Sequence, residues 1–118
     1  MSVTAREMLQ TLRRRSAVAK QRAAAHAVAL RTEVVDIVRK SLPSGGRAWL
    51  IGSLAWGSFG QRSDVDLVFD GVDEGKLAEI EIAVARAADL SVDVLQLREL
   101  PPSFRSRVER EGLPIHGP

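Results

Sequence analysis

The stretch from Gly52 to Phe69, GSLAWGSFGQRSDVDLVF, does most to restrict the fold of this chain. It begins where a short apolar run, Ala48-Trp49-Leu50-Ile51, breaks at a glycine–serine pair, and it ends in an alternating run from Asp64 to Phe69. Such alternation describes a half-buried strand, because residues i and i+2 share a face of the sheet. Val65, Leu67 and Phe69 then belong to a core face, while Asp64 and Asp66 present two carboxylates on the other. Ser53 to Phe59 between the strands reads as a short helix or turn. Gly52 permits close backbone approach, and Ser53 with the amides after it can hydrogen-bond phosphate at the start of a helical turn.

The segments downstream repeat a helix–strand rhythm. Asp73 can cap a helix with apolar positions Leu77, Ile80, Val84 and Ala87, and Ser91 to Leu97 is the next strand, carrying Asp93. Pro101-Pro102 can open a final short helix with Phe104 and Val108, closed by Gly112, and Leu113 to His116 can form a last extended piece. Trp49 sits within an apolar run and is assigned to the core. Asp70 precedes Gly71 and reads as a turn residue. His26 and His116 lack neighbours for metal or catalytic work and are assigned structural or solvated roles.

Upstream, Thr4-Ala-Arg-Glu7 has the form of a capping box, which satisfies exposed amides at a helix start. No proline follows until Pro43, and Leu9, Leu12, Ser16, Ala19, Ala23, Ala27, Leu30, Val34, Ile37 and Val38 recur at three- and four-residue steps. The segment is one long helix, or two broken near Arg13–Lys20, ending at the Ser44-Gly45-Gly46 turn. Its second half should pack on the domain. The first half reaches beyond it, where self-association or partner docking would bury the stripe.

Charge divides the chain in the same place. Residues 1–42 carry nine Lys/Arg against three acids, whereas the remainder carries eight against twelve. Basic helices can meet nucleic acid, membrane or an acidic partner, but a solvated helix face is the favoured reading, with partner binding kept open. At 118 residues the chain supports one domain and one active site. Its 45% hydrophobic and 27% charged residues suit a folded globular protein. The absence of cysteine excludes disulfides and thiolate metal sites, and a cytoplasmic setting fits best. No apolar run approaches the roughly 20 residues of a membrane span.

Three carboxylates and a phosphate turn point to phosphoryl or nucleotidyl transfer. Such reactions need charge on phosphate oxygens neutralised and the attacking and leaving oxygens held in line, which two metal ions can do. Magnesium takes oxygen ligands and is commonly held by a few carboxylates plus substrate phosphates. Asp64, Asp66 and Asp93 meet that demand.

At the spacing Gly52-Ser53, ten residues, then Asp64-x-Asp66, the chain resembles the minimal members of the DNA polymerase β-like nucleotidyltransferase superfamily. Gly52-Ser53-Leu54-Ala55-Trp56-Gly57 stands where those proteins read GSxARG, and Ser63-Asp64-Val65-Asp66-Leu67-Val68 stands for SDxDLxV. Asp93 matches their third acidic residue, and Glu111-Gly112-Leu113-Pro114-Ile115 their E-G-x-x-hydrophobic tail. The resemblance spans residues 28–117 and leaves a basic N-terminal helical extension, residues 1–27, outside a nucleotidyltransferase domain of residues 28–118. It implies an α+β fold: a small mixed β-sheet flanked by helices, with the long N-terminal helix in front. One departure stands out, since Trp56 replaces the family's arginine. Arg47 and Arg62 are the nearby cations that could compensate, and Trp56 either packs, the favoured reading, or stacks on a base.

The resemblance implies catalytic and metal-ligating roles for Asp64, Asp66 and Asp93, with two Mg2+ ions, and nucleotide contacts from Gly52, Ser53 and Ser63. Similar minimal nucleotidyltransferases serve as antitoxins to helical HEPN toxins and transfer AMP from ATP to a tyrosine of the toxin. A similar role is the expectation here, with a catalytically weak or inactive binding module as the alternative. Transfer to a small molecule or an RNA end would ordinarily need an added substrate domain.

Overall fold

The computed structural model describes residues 4–56 and 64–117. Thr4 opens the first helix, α1 (Ala5–Ser41), and its hydroxyl oxygen accepts from the Glu7 amide at 3.2 Å. The helix runs unbroken for 37 residues, so no break falls near Arg13–Lys20. It stops at Leu42, whose backbone is extended, as a residue before proline prefers. The turn at Gly45 feeds β1 (Arg47–Ile51) and then a single turn of helix, α2 (Gly52–Trp56). After the undescribed stretch come β2 (Val65–Asp70), α3 (Glu74–Ala88), β3 (Val92–Gln96), α4 (Pro102–Glu111) and β4 (Leu113–Ile115). Asp73 caps α3, accepting from the Lys76 amide at 2.8 Å.

The four strands form one sheet in the order β3-β2-β1-β4. β1 runs antiparallel to both β2 and β4, and β2 runs parallel to β3. A parallel neighbour needs a crossover, and α3 supplies it. This is the mixed sheet with flanking helices that the sequence predicts.

Helices α1 and α3 cover one face of the sheet. Leu30, Val34 and Val38 of α1 and Leu77, Ile80 and Val84 of α3 share a buried cluster with Leu50, Val65, Leu67 and Phe69. Burying each such side chain contributes about 1.5–3 kcal/mol, so this layer holds most of the favourable energy of the fold. A smaller cluster joins Trp49, Ile51 and Val68 on the opposite face to Leu97 and to Val108 of α4. The second face of β2 is therefore open for chemistry only near its start. Two residues past Asp66, Val68 is fully buried. Phe104, by contrast, leaves α4 toward solvent at 37% exposure.

The apolar stripe of α1 divides near Ala27, the first buried residue of the described chain. Leu9 and Leu12 are more than half exposed, while Leu30, Val34 and Val38 are closed in. Ser16, Ala19 and Ala23, also in the stripe, have side chains outside the described set. The helix is about 55 Å long at 1.5 Å per residue, which explains the 66 Å long axis of the molecule. Among the described residues, no helix is long and apolar enough to cross a membrane.

Candidate functional site

Pairing within the sheet brings the site residues together. β1 ends at Ile51, which lies opposite Asp66 of β2, and Asp66 in turn lies opposite Asp93 of β3. The parallel pair closes at its start with the Val65 amide donating to the Ser91 carbonyl at 3.0 Å, so the strands meet at the level of the carboxylates. Asp64 stands one residue before β2, exposed, and Asp93 is also exposed. Asp66 is half-buried between them.

Gly52 turns the chain directly beside Asp66. Its φ is +75°, a backbone that side chains with a Cβ rarely adopt, and a Cβ placed there would overlap the Asp66 carboxylate oxygen Oδ2. The glycine thus satisfies two demands: the sharp exit from β1 and room for a carboxylate against the backbone. Ser53 follows in the first turn of α2, half-buried. Ser63 lies outside the described residues, as do Gly57 and the Trp56 side chain.

Burial pushes the Asp66 carboxyl above its ordinary pKa, and the charge of Asp93, a hydrogen bond with Asp93 and the charge of Asp64 push the same way. Carboxylates held this close favour a cation between them. That donor set suits a hard divalent cation, whose remaining positions water and phosphate oxygens can fill. Among the described residues, no three His, Cys, Asp or Glu side chains are grouped closely enough to hold a metal ion. The close pair is Asp66 with Asp93, and Asp64 acts on it by charge.

The cation expected to replace the missing arginine is not Arg47. That residue opens β1 opposite Asp70, at the far end of the strand from Asp66, because three residues of β1 lie between it and Ile51. Its guanidinium donates to Asp70 at 2.6 Å and lies 5.1 Å from the centre of the Trp49 ring. Asp70 is accordingly a strand-end ion-pair partner rather than a free turn residue. Arg62 lies outside the described residues. Arg31 of α1 is instead the cation at the turn, its Nε donating to the Leu54 carbonyl of α2 at 3.1 Å. No sequence signal points to it, since the contact joins residues 23 positions apart. Trp49 is buried and His26 and His116 are exposed, as their sequence surroundings predict.

This arrangement can be set beside known proteins. The sequence matches the nucleotidyltransferase domain family over residues 31–115, well over half of the chain. No curated protein matches it. The fold is similar to that in a crystal structure of a toxin–antitoxin with AMP-PNP, at TM-score 0.59 and 23% identity over 75% of this chain and 73% of that one. It is similar also to a protein assigned as a minimal nucleotidyltransferase, at TM-score 0.57 and 28% identity over 73% and 89%. A MntA–HepT toxin–antitoxin structure matches at TM-score 0.50 and 20% identity over 75% and 71%. Because the family match spans well over half of the sequence, the chain belongs to the nucleotidyltransferase domain family.

Proposed function

We propose that the chain is a nucleotidyltransferase that serves as an antitoxin, moving AMP from ATP to a tyrosine hydroxyl of a helical HEPN-type toxin in the cytoplasm. The observation that carries this reading is the register that sets Asp66 opposite Asp93, beside the Gly52 turn at the open end of β1. Solved structures of the same fold that are toxin–antitoxin pairs, one with AMP-PNP, support the choice of partner and nucleotide.

Asp66 and Asp93 would hold magnesium, and Asp64 would contribute to a second ion from the same edge of β2. When bound, the two ions would supply charge neutralisation at the phosphate oxygens and in-line alignment. Gly52 and Ser53 orient the phosphates by close backbone approach and by the serine hydroxyl, with Ser63 assigned to the same task. Asp93, exposed at the start of β3, accepts the proton of the acceptor hydroxyl. The hydroxyl oxygen then bonds to the α-phosphorus as the bond to the β-phosphate oxygen breaks, and pyrophosphate departs with that electron pair. Arg31 holds α2 in place through the Leu54 carbonyl. The basic extension is assigned residues 1–27 and the nucleotidyltransferase domain residues 28–118, and burial of α1 begins at Ala27, at that boundary.

The test is magnesium-dependent transfer of label from α-labelled ATP to a purified HEPN-type toxin. Transfer by wild type and none by Asp64→Ala supports the reading; equal transfer by both sinks it. A second reading, a binding module that has lost catalysis, is favoured by Trp56 at the arginine position. Calorimetry with ATP and magnesium separates the two. Binding lost in Asp66→Ala argues against a purely structural role, and no binding by wild type supports one.

A further inference from the structure

The exposed half of α1 and a groove between α3 and the edge strand β3 are complementary, and we propose that they meet in a reciprocal dimer. Each chain would lay its N-terminal arm in the groove of a second copy. This inference does not depend on catalysis.

The arm's pattern excludes the simplest way of covering it. Met8, Leu9 and Leu12 form a stripe, each more than half exposed. Arg6 and Arg13 lie seven residues apart along one flank, and Arg15 and Arg22 lie seven apart along the other, all exposed. Among the described residues, none of these four arginines is in an ion pair. In a two-helix seam the flanking rows face each other, so two such arms side by side would oppose arginine to arginine. Residues 5–26 hold six cations against one acid, so the face calls for acidic flanks. The arm cannot reach its own domain, because α1 is continuous and every residue before Ala27 with a described side chain is exposed.

The matching surface lies where α3 passes the edge strand β3. A groove of about 280 Å3 is walled by Glu74, Glu81 and Glu99 and floored in part by Leu77, Ala78 and Leu95. Leu95 is 37% exposed, and Ile82 on the outer side of α3 is 53% exposed. Glu74 and Glu81 are seven residues apart on one helix, a separation of about 10.5 Å at 1.5 Å per residue. Each arginine row of the arm has the same separation. Residues 43–118 carry twelve acids against eight cations, so the domain as a whole attracts what the arm repels. A two-fold exchange of arms closes on itself, and each copy buries both surfaces.

Sedimentation velocity on the full chain tests this. Wild type should sediment at twice the 12.9 kDa chain mass. An arm variant with Arg6→Glu, Arg13→Glu, Arg15→Glu and Arg22→Glu should be monomeric, and so should a groove variant with Glu81→Lys and Glu99→Lys. Mixed one to one, the two variants should restore the dimer, since each reversed arm then meets a reversed groove. Leu9→Asp with Leu12→Asp should halve the mass without loss of helical circular dichroism, because both positions are exposed. A monomeric wild type, a dimeric arm variant, a mixture that stays monomeric, or a ladder of ever larger wild-type species would each overturn the proposal.

Discussion

Gly52→Ala compared with Gly45→Ala isolates the role of the glycine turn in building the site. Both glycines are left-handed, at φ +75° and +81°, but a Cβ at Gly45 would have nothing within 4 Å, while one at Gly52 would overlap the Asp66 carboxylate. The left-handed backbone costs a residue with a Cβ about 1–2 kcal/mol. Lower entropy of the unfolded chain returns about 0.4–1 kcal/mol, so Gly45→Ala should lose about 1 kcal/mol net. Gly52→Ala should lose the same and, in addition, force the Asp66 side chain off its rotamer at about 0.5–1.5 kcal/mol, for a total near ~2 kcal/mol. The carboxylate that moves is the one paired with Asp93. Magnesium–ATP affinity should therefore fall by about 10–100-fold in Gly52→Ala, the range for lost support of a metal ligand. Gly45→Ala should bind as wild type does. Urea denaturation gives the stabilities and calorimetry the affinities. Equal stability losses, together with undiminished binding by Gly52→Ala, would refute the close approach on which the site rests.

The raised pKa of Asp66 fixes the sign of a pH effect. Its folded value lies above its unfolded one, so its favourable contribution is complete below the unfolded pKa and is lost as pH rises through the folded pKa. Asp66→Asn, neutral throughout, should be more stable than wild type at neutral pH without metal, the gap closing toward acid; a variant weaker at neutral pH would contradict this. Leu67→Ala, in the fully buried face of β2, should cost about 2–5 kcal/mol, whereas Val28→Ala, on the solvent side of α1 and outside the arm's apolar stripe, should change stability by less than about 0.5 kcal/mol. Comparable denaturation midpoints for the two would place the core wrongly. Arg31→Met removes the charged donor to the Leu54 carbonyl and should cost about 1.5–3 kcal/mol. An unchanged midpoint would show that α2 stands without it.

What could be read from the chain was set by neighbours within a few residues. The Thr4 and Asp73 caps act over three positions, so a local string of letters contains both partners of each bond. The alternation of Val65, Leu67 and Phe69 depends only on the pleat of a strand, and it correctly marks the core face. Periodicity does not decide the unbroken course of α1 past Lys20, because the stripe there thins to serine and alanine.

Tertiary structure decided which distant residues meet. Asp66 and Asp93 are 27 positions apart, and no local pattern encodes the parallel register that sets them opposite each other; the packing of the crossover helix α3 against the sheet does. The same applies to Arg31 at the Leu54 carbonyl and to Arg47, which nearness in sequence suggested for the site but the antiparallel register assigns to Asp70. Local chemistry specifies helices, strands and the residue types of a site, since those depend on periods of two and of three to four. Sheet order and register depend on how separate hydrophobic faces pack together, and that packing brings the carboxylates to one point while leaving half of α1 in solvent.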